Sequence, residues 1–402
     1  MSQNKFCIHC KNFLKIKLIN MGMMPIANDY NLSKKKYLLK VMFCTKCYLI
    51  QNTARVNHKK IFLNYFYKSK YSSIWQTHCR KMKLDLKKFN LNTANILEIG
   101  CNDLTLAKIL KSKKNKYLGI EPAKNIIREN KKNNKFKNNL ICDFFNQKLA
   151  RKLTNEGYKF DIVIGTNVIA HIQNINDFIK GLSIIINDNT VGIFEFQYIG
   201  DMIRGNLYDT IYHEHYYYHS ITSLSIILKK FNLEIFKIKK VKIHSGSLRI
   251  YIKKNYNLTN TKIKNFIKFE KKEGIINPKI IKKFGTNALK HKTKLVRLIT
   301  TKLKNQLICG YGAAAKGNTL INFCKFNNKH IKYIFDKNKL KQKKIFPGTN
   351  IKILSPNNIK KINPDYILIL AWNIYKEVVM EIRKKKIRSK LIIPYPNIKI
   401  IN

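Results

Sequence analysis

Two Cys-x-x-Cys pairs, Cys7-Ile8-His9-Cys10 and Cys44-Thr45-Lys46-Cys47, constrain the start of the chain more than any other feature. Each pair lets two thiolates converge on one tetrahedral ion, and the second pair closes a loop over a segment too short to bury its own core. Four thiolates fill the coordination shell, so Cys7, Cys10, Cys44 and Cys47 are expected to hold a structural Zn2+ that does no chemistry. A redox role fits less well, because neither pair sits between a strand and a helix. The nine cysteines are odd in number and agree with reduced thiols rather than a disulfide framework. Between the pairs, Met24-Pro25-Ile26-Ala27-Asn28-Asp29-Tyr30 reads as a turn and extended loop.

At 402 residues the chain is too long for one comfortable core, and 45% hydrophobic content is ample for two or three folded domains. The formal charge of +57 would attract polyanions. Yet lysine is spread over every segment together with Asn and Ile, as an AT-rich coding bias supplies, whereas a nucleic-acid footprint should cluster on one face. Nucleic acid is therefore not the expected partner, and a zinc-containing RNA-binding or RNA-modifying protein stands as the alternative. The charge still favours anionic small molecules, phosphorylated ones included. No run of about 18 apolar residues occurs and the first residues have no signal-peptide character. A soluble, cytoplasmic monomer with no membrane partner is expected.

The middle of the chain has an α/β rhythm. Asn95-Ile96-Leu97-Glu98-Ile99-Gly100 reads as a buried strand ending in glycine, and Leu104 to Leu110 as the start of a helix. Strand, glycine turn and helix open a ligand crevice at the carboxyl ends of the strands in doubly wound folds. A second strand ends in Glu121, placed to accept hydrogen bonds from both ribose hydroxyls of an adenosine. Asp143 beside Phe144 and Phe145 suits an adenine pocket, and Asn167 and His171 follow the strand Phe160 to Gly165. With neither a GxGxxG nor a Walker lysine, S-adenosyl-L-methionine is expected ahead of a nicotinamide or a triphosphate.

Further on, Ile243 to Tyr251 reads as a glycine turn and a strand, and Thr261 to Lys304 as paired amphipathic helices broken at Asn277-Pro278. Leu307 to Gly317 is a strand, a small-residue turn and a helix start whose amides could receive a phosphate neutralised by Lys316. The expected fold class is α/β, in three parts: a zinc-binding module (1–60), a class I Rossmann-like methyl-donor domain (61–240) and a second Rossmann-like domain (241–402).

Thr210-Ile211-Tyr212-His213-Glu214-His215, followed by Tyr216, Tyr217 and Tyr218, concentrates proton-handling groups on an apolar background. In an extended segment Tyr212 and Glu214 share one face and the histidines the other; a tight turn brings all four toward one cavity. A carboxylate beside an imidazole fixes its tautomer and raises its basicity. A solvated surface tract is the plainer reading, and a histidine zinc site a third.

The two cysteine pairs, Tyr65-Phe66-Tyr67, Leu97-Glu98-Ile99-Gly100-Cys101-Asn102-Asp103, Gly119-Ile120-Glu121-Pro122-Ala123, Thr166 to Ile172 and Tyr208 to His215 together resemble the nucleotide-sugar C-methyltransferases of deoxysugar biosynthesis, in order and in spacing. Gly310-Tyr311-Gly312, Pro347-Gly348-Thr349 and Ala371-Trp372-Asn373 resemble the carboxyl-terminal domain of that family. The resemblance implies an S-adenosylmethionine-dependent enzyme that removes a proton α to a ketone of a nucleoside-diphosphate keto-deoxysugar and methylates the resulting carbanion. By matching position it implies His215 as base, Glu214 as its orienting partner, and Tyr212, Tyr67 and His171 as donors near the enolate or sugar hydroxyls; His213 could exchange roles with His215. It implies Gly100, Glu121 and Asn167, with Asn102, Asp103 and Asp143 behind them, for the cofactor, and His244, Arg249 and Lys316 for the nucleotide diphosphate. The chain departs from the family pattern at Lys70 (serine), Leu104 (glycine), Gln197 (proline) and Ser245 (glycine). Leu104 lies in the cofactor turn, and an inactive scaffold that kept the fold and lost the cofactor is the reading that departure allows.

Overall fold

Three β-sheets organise the chain in the computed structural model, which describes residues 4–402 apart from 31–34, 55, 67, 133–135, 137, 244 and 256–260. Tyr67 and His244, both candidates above, lie outside the described residues.

The central sheet has seven strands, in the order Leu140–Ile141, Lys116–Ile120, Asn95–Ile99, Ile162–Thr166, Val191–Gln197, Ser247–Lys254 and Leu233–Val241. The first five run parallel and the last two pair antiparallel. Ile96, Leu97, Ile99, Ile162, Val163 and Ile164 are all buried, as in a parallel sheet covered on both faces. The chain winds in opposite directions on either side of Asn95–Ile99, so a crevice opens at the carboxyl end of that strand. The strand Ser247–Lys254, expected within the third part, belongs here by its hydrogen bonds to Val191–Gln197. Its turn needs Gly246: at φ +115° an added Cβ would stand 2.2 Å from the Asp201 carboxylate.

The amino-terminal sheet pairs Ile16–Met24, Tyr37–Phe43 and Ile50–Asn52 antiparallel, and its fourth strand is Tyr217–Tyr218, which comes directly after the His-Glu-His tract. The third sheet has five parallel strands, Lys352–Leu354, Tyr333–Phe335, Ile308–Tyr311, Tyr366–Ile369 and Lys390–Ile393, closed by antiparallel Lys399–Ile401.

The lysine-rich stretch forms the helices Thr261–Lys272 and Pro278–Arg297. Asn277 caps the second by accepting from the Lys279 amide, and Pro278 occupies the first turn, where its missing N–H costs nothing. That helix crosses Ile16–Met24 so closely that a Cβ on Gly285 would sit 2.3 Å from the Leu18 carbonyl oxygen. Among the described residues, no helix is long and apolar enough to cross a membrane.

Candidate active site

The four cysteine sulfurs lie within 4.8 Å of one another, with Cys7 and Cys47 at 3.5 Å and Cys10 and Cys44 at 3.5 Å. A tetrahedral Zn2+ with bonds of about 2.3 Å needs sulfurs roughly 3.8 Å apart, so the cluster fits the ion. Lys11 and Tyr48, each following the second cysteine of a pair, adopt left-handed backbone and turn the chain back around the sulfur cluster.

At the carboxyl end of Asn95–Ile99 lies a cavity of about 170 Å³ walled by Gly100, Asn102, Glu121, Asp143, Asn167 and His171 among others. Gly100 is required there twice over, by its φ of +74° and because an added Cβ would meet Val168 at 2.5 Å. The Glu121 carboxylate is held by the amides of Asn102 (2.9 Å) and Ala123 (3.0 Å), and burial pushes its pKa up to about 7. Glu98, fully buried in the wall and bonded to Tyr117 at 2.7 Å, is pushed up by burial to about 8. Carboxylates beside a turn opened by Gly100, with the aromatic Phe144 and Phe145 alongside, fit the ribose and adenine of an adenosyl cofactor.

Two expectations about this turn are corrected. Asp103 does not face the cavity: it accepts from Ser69 Oγ (2.6 Å), Thr105 Oγ1 (2.6 Å) and the Lys70 amide (2.8 Å), and so ties Ser69–Tyr71 to the cofactor turn. Leu104 does adopt the left-handed backbone that glycine favours, at φ +62°, but its side chain is buried in the cluster with Met82, Leu86 and Leu106 and is not part of the cavity wall.

The His-Glu-His tract folds as a turn against this cavity rather than as an extended strand. His215 Nδ1 is bonded to the Thr210 carbonyl at 2.8 Å. A carbonyl only accepts, so the proton is on Nδ1, and Nε2 is the acceptor for the Tyr212 hydroxyl at 2.8 Å. His171 is fixed in the same way, Nδ1 donating to the Glu214 carbonyl at 2.7 Å, and its ring lies 4.8 Å from that of His215. Burial lowers the pKa of His171 to about 4, so it stays neutral. His171 is thus the link between cavity and tract.

The expected roles of the other two members are corrected by geometry. The Glu214 carboxylate does not orient His215; its Oε1 accepts from the backbone amide and the side-chain amide of Asn28, both at 3.1 Å, while Oε2 has no hydrogen-bond partner. His213 is turned to the other side, bonded to the Pro25 carbonyl at 3.2 Å and edge-on to Tyr37. The two imidazoles therefore do not share a position.

Arg249 is also corrected. It is 1% exposed inside the central sheet, where Glu195 and Asp85 neutralise it, and Glu195 in turn bonds His78 at 2.7 Å. A guanidinium buried and neutralised in this way does not present its charge to a diphosphate. Lys316 lies instead at the start of the helix Ala315–Phe323, its Nζ buried without a hydrogen-bond partner, 5.3 Å from the Trp372 ring and beside Asp209. Sequence reasoning missed Asn28, Asp209 and the His78–Glu195–Arg249 chain; only the Pro25–Asn28 turn between the cysteine pairs carried a local signal.

Three family descriptions match this chain in series: a zinc binding domain over residues 7–62, a methyltransferase domain over 71–238 and a C-methyltransferase C-terminal domain over 242–396. The chain belongs to the C-methyltransferases. It is an S-adenosylmethionine-dependent C-methyltransferase with a four-cysteine zinc-binding module, which displaces the RNA-binding and inactive-scaffold alternatives. It is similar to the C-methyltransferase NovU of Streptomyces niveus, 23% identical over 409 residues that cover 98% of this chain and 96% of that one. Among solved structures it is similar to the PH0226 protein of Pyrococcus horikoshii OT3 (15% identity, 50% of this chain and 99% of that, TM-score 0.37). It is also similar to an S-adenosylmethionine-dependent methyltransferase of Clostridium acetobutylicum ATCC 824 (14% identity, 44% and 89%, TM-score 0.34).

Proposed function

We propose that this C-methyltransferase acts on a nucleoside-diphosphate keto-deoxysugar, removing the proton α to the ketone and methylating the resulting carbanion. The observation that carries the reading is the tautomer of His215. With Nδ1–H held on the Thr210 carbonyl, Nε2 is left as the basic nitrogen next to the cofactor cavity. A hydrogen α to a carbonyl is acidic enough for a positioned imidazole if the enolate oxygen is stabilised, and Tyr212, whose hydroxyl bonds that same nitrogen, is the donor in this reading. S-adenosylmethionine, when bound, supplies an electrophilic methyl group.

In this reading Gly100, Asn102, Glu121, Asp143 and Asn167 hold the cofactor. His171, neutral and with Nε2 free to accept, aligns a sugar hydroxyl rather than donating a charge. The buried ammonium of Lys316 at a helix start, which makes no hydrogen bond and has Asp209 as a nearby counter-charge, supports a diphosphate site at the third sheet. The sugar class itself rests on the resemblance of the tract and its flanking motifs. The three-part division of the chain is kept, with Ser247–Lys254 added to the central part.

The test is His215→Asn. It should abolish both exchange of the α-hydrogen of a nucleoside-diphosphate keto sugar in D2O and methyl transfer, while cofactor affinity by calorimetry stays within about twofold. Exchange at the unaltered rate would remove His215 as the base.

A further inference from the structure

Glu214 is a fully buried carboxylate whose two oxygens are treated unequally. Oε1 accepts twice from one residue, the backbone amide and Nδ2 of Asn28, and Oε2 accepts from none. Asn28 is not part of the methyl-donor domain; it lies in the turn that follows the first strand of the zinc module. That turn is pinned on both sides. Pro25 before it receives His213 Nδ1, and Tyr30 after it donates to the Ala313 carbonyl at 2.8 Å, in the third sheet's glycine turn.

We propose that Asn28 is a positioning residue for the methyl-transfer site: it occupies one oxygen of Glu214 and so leaves the other, without a partner, as the open acceptor of the buried tract among the phenols Tyr212 and Tyr218. This rests on the reading of the tract given above. Two hydrogen bonds from a rigid turn fix the plane of the carboxylate and stabilise its ionised form, which burial opposes. Burial alone raises the Glu214 pKa, to about 7 with Asn28 in place.

The titratable groups that feel this charge are phenols. Tyr30 from the zinc-module turn, Tyr212 from the same loop and Tyr218 from the short strand are held well above the ordinary range, by burial first and by Glu214 in addition. None of them ionises near neutrality. The nearby imidazoles His171, His213 and His215 each direct Nδ1 to a main-chain carbonyl. Near neutral pH, Glu214 is therefore the group of this cluster whose ionised form Asn28 helps to hold, together with the main-chain amides of Glu214 itself and Ala27.

The experiment is a carbon-13 NMR titration of the full-length, zinc-loaded protein labelled at the glutamate carboxyl carbons, with the Glu214 resonance assigned by its absence in Glu214→Gln. Asn28→Ala removes the Nδ2 donor and should move the Glu214 midpoint up by about one pH unit, which is a tenfold loss of ionised carboxylate below it. Asn28→Asp puts a second carboxylate against Oε1 and should move it further. In both variants kcat at neutral pH should fall and recover as pH rises, with zinc content and cofactor affinity unchanged. An unmoved midpoint overturns the inference, as does a shift accompanied by loss of zinc, which would make Asn28 a holder of the fold. Full turnover by Glu214→Gln would overturn it too, because a carboxylate that turnover does not need cannot make Asn28 a positioning residue for the site.

Discussion

The carboxylate of Asp209 accepts the indole N–H of Trp372 at 2.5 Å, and this bond ties the start of the catalytic tract to the third sheet's domain. Asp209 is 0% exposed, its other oxygen has no partner, and Lys316 is the cation beside it. Burial raises its pKa to about 6 even so, with Lys316 and the indole opposing that rise. One residue on, the Thr210 carbonyl sets the tautomer of His215, and Thr319 Oγ1 donates to the Ile211 carbonyl at 3.2 Å. The domain that carries Lys316 therefore also shapes the loop that carries the base.

Removing one member of this pair should be more harmful than removing the indole bond. Asp209→Asn removes the counter-charge that stands near the buried Lys316 ammonium without touching it, at a cost of up to about 3–5 kcal/mol. Trp372→Phe deletes one hydrogen bond to a charged group and costs about 1.5–3 kcal/mol. Urea unfolding of the two variants measures both. A smaller loss for Asp209→Asn than for Trp372→Phe would show that Lys316 is not held by Asp209.

Leu104 tests backbone strain against packing. Its left-handed conformation costs an L-residue about 1–2 kcal/mol, which glycine would recover. Its buried side chain, by contrast, is worth about 2–5 kcal/mol against truncation. Packing wins, so Leu104→Gly should lower stability by about 1–3 kcal/mol. Because the side chain lies outside the cavity wall, cofactor affinity should not change. A tighter-binding variant would mean that the isobutyl group does crowd the cofactor.

What the sequence made legible was local. The cysteine pairs, the strand that ends at Gly100, the acid at Glu121 and the break at Asn277-Pro278 are each set by residues a few positions apart, and each stands in the structure where its spacing put it. What it hid was partnership at long range. Arg249 reads as a free cation until its strand is laid against Glu195, and the partner of Glu214 lies 186 residues earlier in a different module. The orienting role expected of Glu214 failed for the same reason: adjacency in sequence put it next to His215, but the turn sends the two side chains apart and gives the histidine a backbone carbonyl instead. Asp103 is a cofactor candidate in the sequence as the last residue of the motif Leu97 to Asp103, yet its carboxylate is turned to Ser69, Lys70 and Thr105 where the helix begins.

Cofactor binding should depend on pH through Glu121. Its pKa of about 7 lies above the ordinary glutamate value, so the group takes up a proton as pH falls through neutrality. The protonated acid has lost the charge that makes it a strong acceptor for ribose hydroxyls. Affinity for S-adenosylmethionine should accordingly be highest above pH 8 and fall by up to about tenfold per unit below pH 7. Glu121→Gln should bind weakly at every pH and flatten the curve. A slope that survives in that variant would move the titration to Glu98, the other raised carboxyl of the cavity.

Zinc should matter to catalysis although it does no chemistry. The module it closes supplies Pro25 to His213, Asn28 to Glu214 and Val56 to Tyr216, and its third strand pairs Ile50 and Gln51 with Tyr218 and Tyr217. Cys44→Ser breaks the four-thiolate set and should lower bound zinc, measured by metal analysis, together with the unfolding midpoint. Among the described residues of 4–54 none walls the cofactor cavity, so S-adenosylmethionine affinity should decline less than turnover. Equal losses of affinity and turnover would show that the module supports the central sheet as a whole. Loss of turnover at nearly constant affinity would place its effect at the tract, where these five residues already grip the turn that carries the base and the strand after it.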